Sequence, residues 1–392
     1  MSEIKVTFVF LKYTLLLFFF VSGHLLSKSK NNKQYWQITI LPILAFAIIS
    51  GLRFGRDIDY NLYYSVYSIN LNGIEYEYLF TLIVNFFNRL GIPYYGFILF
   101  CSTFLIVSFL YLLRNFKQAA FYILPLFLIV SGIENNIRWY LALSFVFIAV
   151  GLLINKRYFL AICLAVVSYL VHEGMILVVF IIAMFFLLTK KKILFSPKIS
   201  VILFTLTLTL ASVKYLQQLT SVLDYLQLGF LSERGTGYVD KMDVIAGGEM
   251  STGIHERSMT NQIRIFIGYV FILYFGGKYF EENRFEFPLS KCLYNLTVVS
   301  IIIMPLFTLV EIFDRISSAL MSFSIIVAGI TFFVAYKQRN SNKLAYFLLL
   351  FGFMCLILPL IKAPLEATEI HRMMFIWDAN GREYLPASLF LK

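Results

Sequence analysis

Apolar runs long enough to cross a lipid bilayer recur along almost the whole chain, each divided from the next by a short polar connection. Val6 to Leu26, Tyr95 to Leu113 and Leu293 to Leu309 approach or reach the roughly 20 residues that a helix needs to cross hydrocarbon. A soluble fold has no place for this much apolar surface: 60% of the 392 residues are hydrophobic, against roughly 45–50% in soluble domains. Membrane strands would alternate polar and apolar residues, and these runs do not. The expected fold class is therefore all-α, a polytopic integral membrane protein with about 12 transmembrane helices. The predicted spans are 6–26, 36–51, 95–113, 119–133, 139–154, 158–171, 174–188, 199–215, 263–280, 292–310, 319–336 and 344–360.

Charge orients the chain. The net charge of +11 would suggest nucleic acid in a soluble protein, but here the basic residues fall in short connections, and no nucleic-acid partner is expected. Lys28-Lys30-Lys33, Arg114-Lys117, Lys156-Arg157, Lys190-Lys191-Lys192-Lys198, Lys278-Arg284-Lys291 and Lys337-Arg339-Lys343 hold 17 basic residues and only the acids Glu281, Glu282 and Glu286. The positive-inside rule makes these connections cytoplasmic. Both termini then lie outside, provided Tyr78 to Leu90 runs along the membrane or dips in and out. The first apolar run is long enough to stay as a span, and no cleavable signal peptide is expected. Cys101, Cys163, Cys292 and Cys355 fall inside predicted helices and read as packing residues. The whole chain, 1–392, reads as one integral domain. Its outer parts are a first loop (52–94), a larger loop (214–262) with an amphipathic stretch and a Gly-rich lid, and a C-terminal tail (361–392).

Chemistry is expected on that outer face. The first loop opens with Arg53, Arg56, Asp57, Asp59 and Tyr60 directly after a helix end, and interfacial salt bridging is the plain alternative. The spans around 139–154, 158–171 and 174–188 are short, so they draw Arg138 and the His172-Glu173 pair towards lipid depth, where ionisable groups usually face a polar cavity. Arg315 opens a late helix on the same side. Arg53, Arg138 and Arg315 could thus surround one outward-facing cavity, and guanidinium groups bind phosphate bidentately. Simple bridges to Glu134 for Arg138 and to Asp314 for Arg315 are the bland counterpart.

In this order the residues resemble the EpsG-like branch of the Wzy polysaccharide polymerases. Arg53, Gly55, Asp57 and Tyr60 or Tyr63 match its first signature, Glu77 the second, Ile137-Arg138 with Ala142 the third, then His172 and Asp314-Arg315; the likeness runs over about residues 36–335. Arg56 and Glu173-Gly174 depart from it. The resemblance implies a GT-C-like membrane glycosyltransferase that joins polyprenyl-diphosphate-linked oligosaccharide units (O-antigen or exopolysaccharide) at the outer face of a bacterial plasma (inner) membrane. Its implied partners are that lipid-linked substrate, the bilayer, a chain-length regulator and a flippase. Arginines would stabilise the diphosphate leaving group, with His172 or Asp57 as the base. Arg53, Arg56, Arg138, Arg315, Asp59, Tyr60, Glu77 and Glu173 would bind substrate. No cofactor is implied, although Asp57 and Asp59 leave a divalent ion open.

Three rivals stand beside this reading. A flippase for the lipid-linked unit would also use a cationic cavity, but the sequence offers neither paired halves nor interrupted helices. A ligase, another outward-facing glycosyltransferase or an acyltransferase shares the outer site. A non-catalytic scaffold leaves Arg138 and His172 at lipid depth without a reason.

Overall fold

The computed structural model describes residues 3–56, 59–69, 76–134, 136–189, 192–210, 259–282, 287–307, 311–369 and 373–379. It is an all-α bundle, and every predicted span has its helix. These are α1 (Glu3–Ser27), α2 (Asn32–Gly51), α5 (Tyr94–Leu113), α6 (Ala120–Val130), α7 (Ile137–Ile154), α8 (Tyr158–Val171), α9 (Met175–Thr189), α10 (Pro197–Leu210), α11 (Met259–Glu281), α12 (Ser290–Phe307), α13 (Glu311–Lys337) and α14 (Lys343–Glu366). Two shorter helices, α3 (Asp59–Ile69) and α4 (Tyr78–Arg89), fill the first loop. The chain is a multi-pass membrane protein. Exposed Phe10, Leu44, Phe159, Phe180, Leu206 and Phe351 form its lipid-facing belt.

Helix α13 is the axis of the bundle, wrapped by α12 and α6. Small residues make that possible: at Gly329 a Cβ would stand 2.2 Å from Ile123 Cγ1, so only glycine lets α6 and α13 close to this distance.

The stretch Tyr94–Val130 is continuous in helical backbone but not straight. Phe116 leaves the helical region (φ −126°, ψ 21°), and the rings of Phe109 and Phe127 stack 4.2 Å apart. Along one straight helix these residues would lie about 27 Å apart, so the chain turns back on itself at Arg114–Ala119. That turn is one of the basic connections, and others gather around it. Lys117 Nζ donates to Ser29 O (2.7 Å), Asn155 Nδ2 to Asn115 Oδ1 (3.5 Å), and Phe116 meets Phe287 at 6.5 Å.

Helix α11 contains a π-helical turn at Ile272–Gly276 within its continuous span, where the Tyr294 hydroxyl donates to Leu273 O (2.7 Å). A surplus residue in the turn frees a carbonyl, and the tyrosine satisfies it. Tyr294 lies in the first turns of α12, beside the basic connections.

Helix α4 is 12 residues long, or about 18 Å at 1.5 Å per residue, short of the hydrocarbon thickness. It buries Phe80 and Val84 and exposes Tyr78, Leu82 and Phe86. The larger loop, apart from its last residues, and the tail beyond Ala379 lie outside the described residues.

Candidate functional site

Two charged clusters occupy the end of the bundle opposite the basic turn. The first begins at the C-terminus of α2, whose last carbonyls have no partner within the helix. Arg53 Nη1 donates to Ser50 O, and Arg56 Nη1 to Ile49 O (3.3 Å). Cations there also oppose the negative end of the helix dipole. Gly55 between them has φ +61°, a left-handed turn that brings both arginines to one side. Arg53 reaches on to Ile133 O (3.0 Å).

Glu134 balances this charge. It accepts from Lys12 Nζ (2.9 Å) and Arg56 Nη1 (3.2 Å). Burial raises the Glu134 carboxyl, but Lys12, Arg56 and Arg53 outweigh it and hold the group at about 2. The C-terminal segment closes the cluster. Phe54 N donates to Met374 O (3.1 Å) and Ile376 N to Leu52 O (3.0 Å). Arg56 Nε donates to Met374 O (3.0 Å), and its guanidinium lies 4.0 Å from the Phe375 ring and 5.0 Å from Phe8.

The second cluster is centred on Glu77, just before α4. Its Oε2 accepts from Arg138 Nη1 at the start of α7, and its Oε1 accepts from the Glu173 backbone N–H (3.3 Å). Thus one carboxylate ties α4, α7 and the α8–α9 corner together. Arg138 spreads over Tyr76 at 4.8 Å, and its Nε has no partner among the described residues. His172 caps α8: its N–H donates to Ser168 O (3.0 Å), and its Nδ1 accepts from Gly174 N–H (3.1 Å). Burial pushes the imidazole down, and the positive charges of Arg138 and Arg315 push it further, to about 3. It is neutral at any physiological pH.

The predicted residues therefore divide. Arg138, Glu77 and His172 come together, with Arg315 near enough to act on His172 electrostatically, while Arg53 and Arg56 form the α2 cluster. Glu173 contributes its backbone, and its carboxylate is on an exposed residue. Tyr60 is buried in an aromatic wall with Phe54 (5.7 Å) and Tyr94 (5.2 Å). Asp57 lies outside the described residues, and Asp59 is described only as the first residue of α3. Arg138 pairs with Glu77, whereas Glu134, its partner in the plain salt-bridge alternative, serves Lys12 and Arg56. Lys12, Phe375 and Trp139 carry no signal in the sequence, because their partners Glu134, Arg56 and His172 lie far away along the chain.

The EpsG family model matches residues 35–368, a stretch that contains Glu77, Arg138, His172 and Arg315 of the second cluster and Arg53, Arg56 and Glu134 of the first, but not Lys12 or Phe375. No curated protein and no solved structure matches the chain.

Proposed function

The chain belongs to the EpsG family, and on that premise we propose that it polymerises polyprenyl-diphosphate-linked oligosaccharide units at the outer face of a bacterial plasma membrane. The observation that carries this reading is the Glu77–Arg138–His172 constellation, with Arg315 beside it, at the end away from the basic turn. Positive connections face the cytoplasm, so the constellation faces out.

The chemistry is glycosyl transfer. A sugar hydroxyl of the incoming unit attacks the anomeric carbon of the growing chain; a C–O bond forms as the C–O bond to the lipid diphosphate breaks, and the hydroxyl gives up its proton. The barrier lies largely in the negative charge that develops on the departing diphosphate, and fixed cations lower it without any reorganisation during the step. Arg138 suits this: Glu77 fixes the plane of its guanidinium while Nε remains to donate. Arg315 adds a second charge. Arg53 and Arg56 support the site by holding α2, the 131–134 connection and the tail in register.

Glycans of a deletion strain test the reading. Surface carbohydrate capped at single repeat units, restored to long chains by the wild-type gene, is the expected result. Accumulation of long lipid-linked chains would make the protein a ligase. Lipid-linked units trapped on the cytoplasmic face would make it a flippase.

A further inference from the structure

The corner that follows α8 fixes the His172 ring through backbone and side-chain contacts. The His172 N–H donates to Ser168 O (3.0 Å), and its carbonyl accepts from Met175 N–H (3.0 Å). Between them the Gly174 N–H donates to His172 Nδ1 (3.1 Å). Gly174 permits this approach: a Cβ there would meet Trp139 Cζ3 at 3.1 Å and His172 Cε1 at 3.3 Å. The Trp139 ring stands edge-on to the imidazole, 5.0 Å away at 90°, and holds its plane.

A neutral imidazole has one N–H, and a nitrogen that accepts a hydrogen bond does not carry it. With Nδ1 accepting from the backbone, the proton sits on Nε2. A histidine base needs the reverse arrangement, Nδ1–H held by a carboxylate and a lone pair at Nε2. The nearest carboxylate cannot provide it. Glu77 Oε1 is 3.8 Å from Nδ1, beyond hydrogen-bond reach, and is engaged by Glu173 N–H.

We infer that His172 acts through Nε2–H as a hydrogen-bond donor to a phosphate oxygen of the lipid diphosphate, and is not the base that deprotonates the acceptor hydroxyl. The inference rests on the polymerase reading for its ligand, but not for the tautomer. The charged groups around the ring are Glu77 before α4, Arg138 on α7, Arg315 on α13 and Glu173 in the same corner. The two arginines favour an anionic oxygen over a neutral hydroxyl as the recipient. The hydroxyl proton then passes to the departing diphosphate, whose oxygens become basic once the sugar bond breaks.

Three arms test this on the full chain in detergent or in cells. The first is ring ¹⁵N NMR of histidine-labelled protein; with four histidines in the sequence, subtraction of a His172→Gln spectrum isolates one signal. The Nε2–H tautomer should persist from pH 8 to pH 5. An Nδ1–H tautomer, or an imidazolium in that range, overturns the assignment. The second arm uses shape: Gln offers an N–H near the Nε2 position, whereas Asn offers an acceptor near Nδ1 for Gly174 but no distal donor. Chain extension should stay within about threefold of wild type in His172→Gln and fall roughly tenfold to a hundredfold in His172→Asn, as loss of a hydrogen bond to a charged group implies. Loss in Gln as deep as in Asn restores the base, which contributes about 10² to 10⁴-fold; an active Asn variant refutes the donor. The third arm is inhibition by farnesyl diphosphate, a lipid diphosphate without sugar. His172→Asn should weaken it about tenfold, and unchanged inhibition rules out the diphosphate as recipient. A wild-type protein that never extends chains sinks the polymerase reading, while the first arm still decides the tautomer.

Discussion

Replacing Glu134 by Gln removes the carboxylate that, among the described residues, pairs with both Lys12 and Arg56 and leaves its shape almost unchanged. The carboxyl is held at about 2 against an ordinary 4.5; at about 1.36 kcal/mol per unit this amounts to ~3 kcal/mol. Loss of one partner from a buried ion pair typically costs about 3–5 kcal/mol, so two independent routes give the same order. The sign follows from the depressed folded value: the contribution is whole above about pH 4.5 and fades as pH falls towards 2. The assay is thermal unfolding in detergent at a fixed scan rate, read by a thiol-reactive dye that reaches buried Cys101 only on opening. Cys163→Ser removes the exposed background thiol. Glu134→Gln should unfold roughly 4 °C below its parent at pH 7. Adding Lys12→Met, which removes one uncompensated cation, should recover part of the loss, since groups in one ion-pair network are coupled by about 0.5–3 kcal/mol. Equal melting of Glu134→Gln and its parent, or strictly additive effects in the double variant, would refute the charge-balance argument.

The remaining predictions concern orientation, the second cluster and the tail. Reporter fusions after Lys192 and Lys343 should read as cytoplasmic and one after Glu369 as external; a reversal at Glu369 would place the clusters on the wrong side. Arg138→Lys keeps the charge but not the planar fork over Tyr76, so chain extension should fall at least tenfold at unchanged protein level, and normal chain length would remove Arg138 from the diphosphate site. His172 titrates near 3 when folded against an ordinary 6.5, so its contribution is present above about pH 6.5 and lost progressively below it. Melting temperatures from pH 7 to pH 4 should fall less in His172→Gln than in wild type, and parallel curves would show that the ring is not held neutral by its surroundings.

Hydropathy made the spans legible because lipid imposes one simple demand on every one of them, an unbroken apolar helix. The same averaging concealed Lys12, a single cation inside an apolar run, whose partner Glu134 is 122 residues away. Helix α3 left a trace that could have been read: Tyr60, Tyr63 and Tyr67 recur at helical spacing, and all three are buried. The tail left none, since two short strand-like segments, 52–54 and 374–376, pair by backbone atoms and need no particular side-chain pattern. At the second cluster, residue types and order pointed to Arg138, Glu77 and His172, but not to their pairing. The tautomer of His172 depends on one backbone N–H two residues on, which no side-chain motif encodes.

A guanidinium paired with a carboxylate is not thereby removed from catalysis, and the two clusters show where the difference lies. On Arg56, Nε goes to Met374 O and Nη1 to Ile49 O and Glu134. Its ring neighbours Phe375 and Phe8 cover it at 4.0 and 5.0 Å. An incoming phosphate would have to displace the tail and break a buried ion pair, at a cost of several kcal/mol, before making its first contact. On Arg138 the single ion pair to Glu77 runs through Nη1, and the residue retains partial exposure at the bundle end. Glu77 also holds the corner that carries His172, so the same carboxylate that orients the fork orients the ring beside it. A cation fixed in this way meets developing charge without the side-chain ordering that a free arginine would undergo. Neutralising Glu77 as Gln should therefore leave the Arg138 charge in place yet lower turnover more than substrate affinity, because what is lost is alignment and not attraction. The reverse split, affinity lost with turnover kept, would mean that Arg138 works as a mobile charge and that the constellation is a consequence of folding alone.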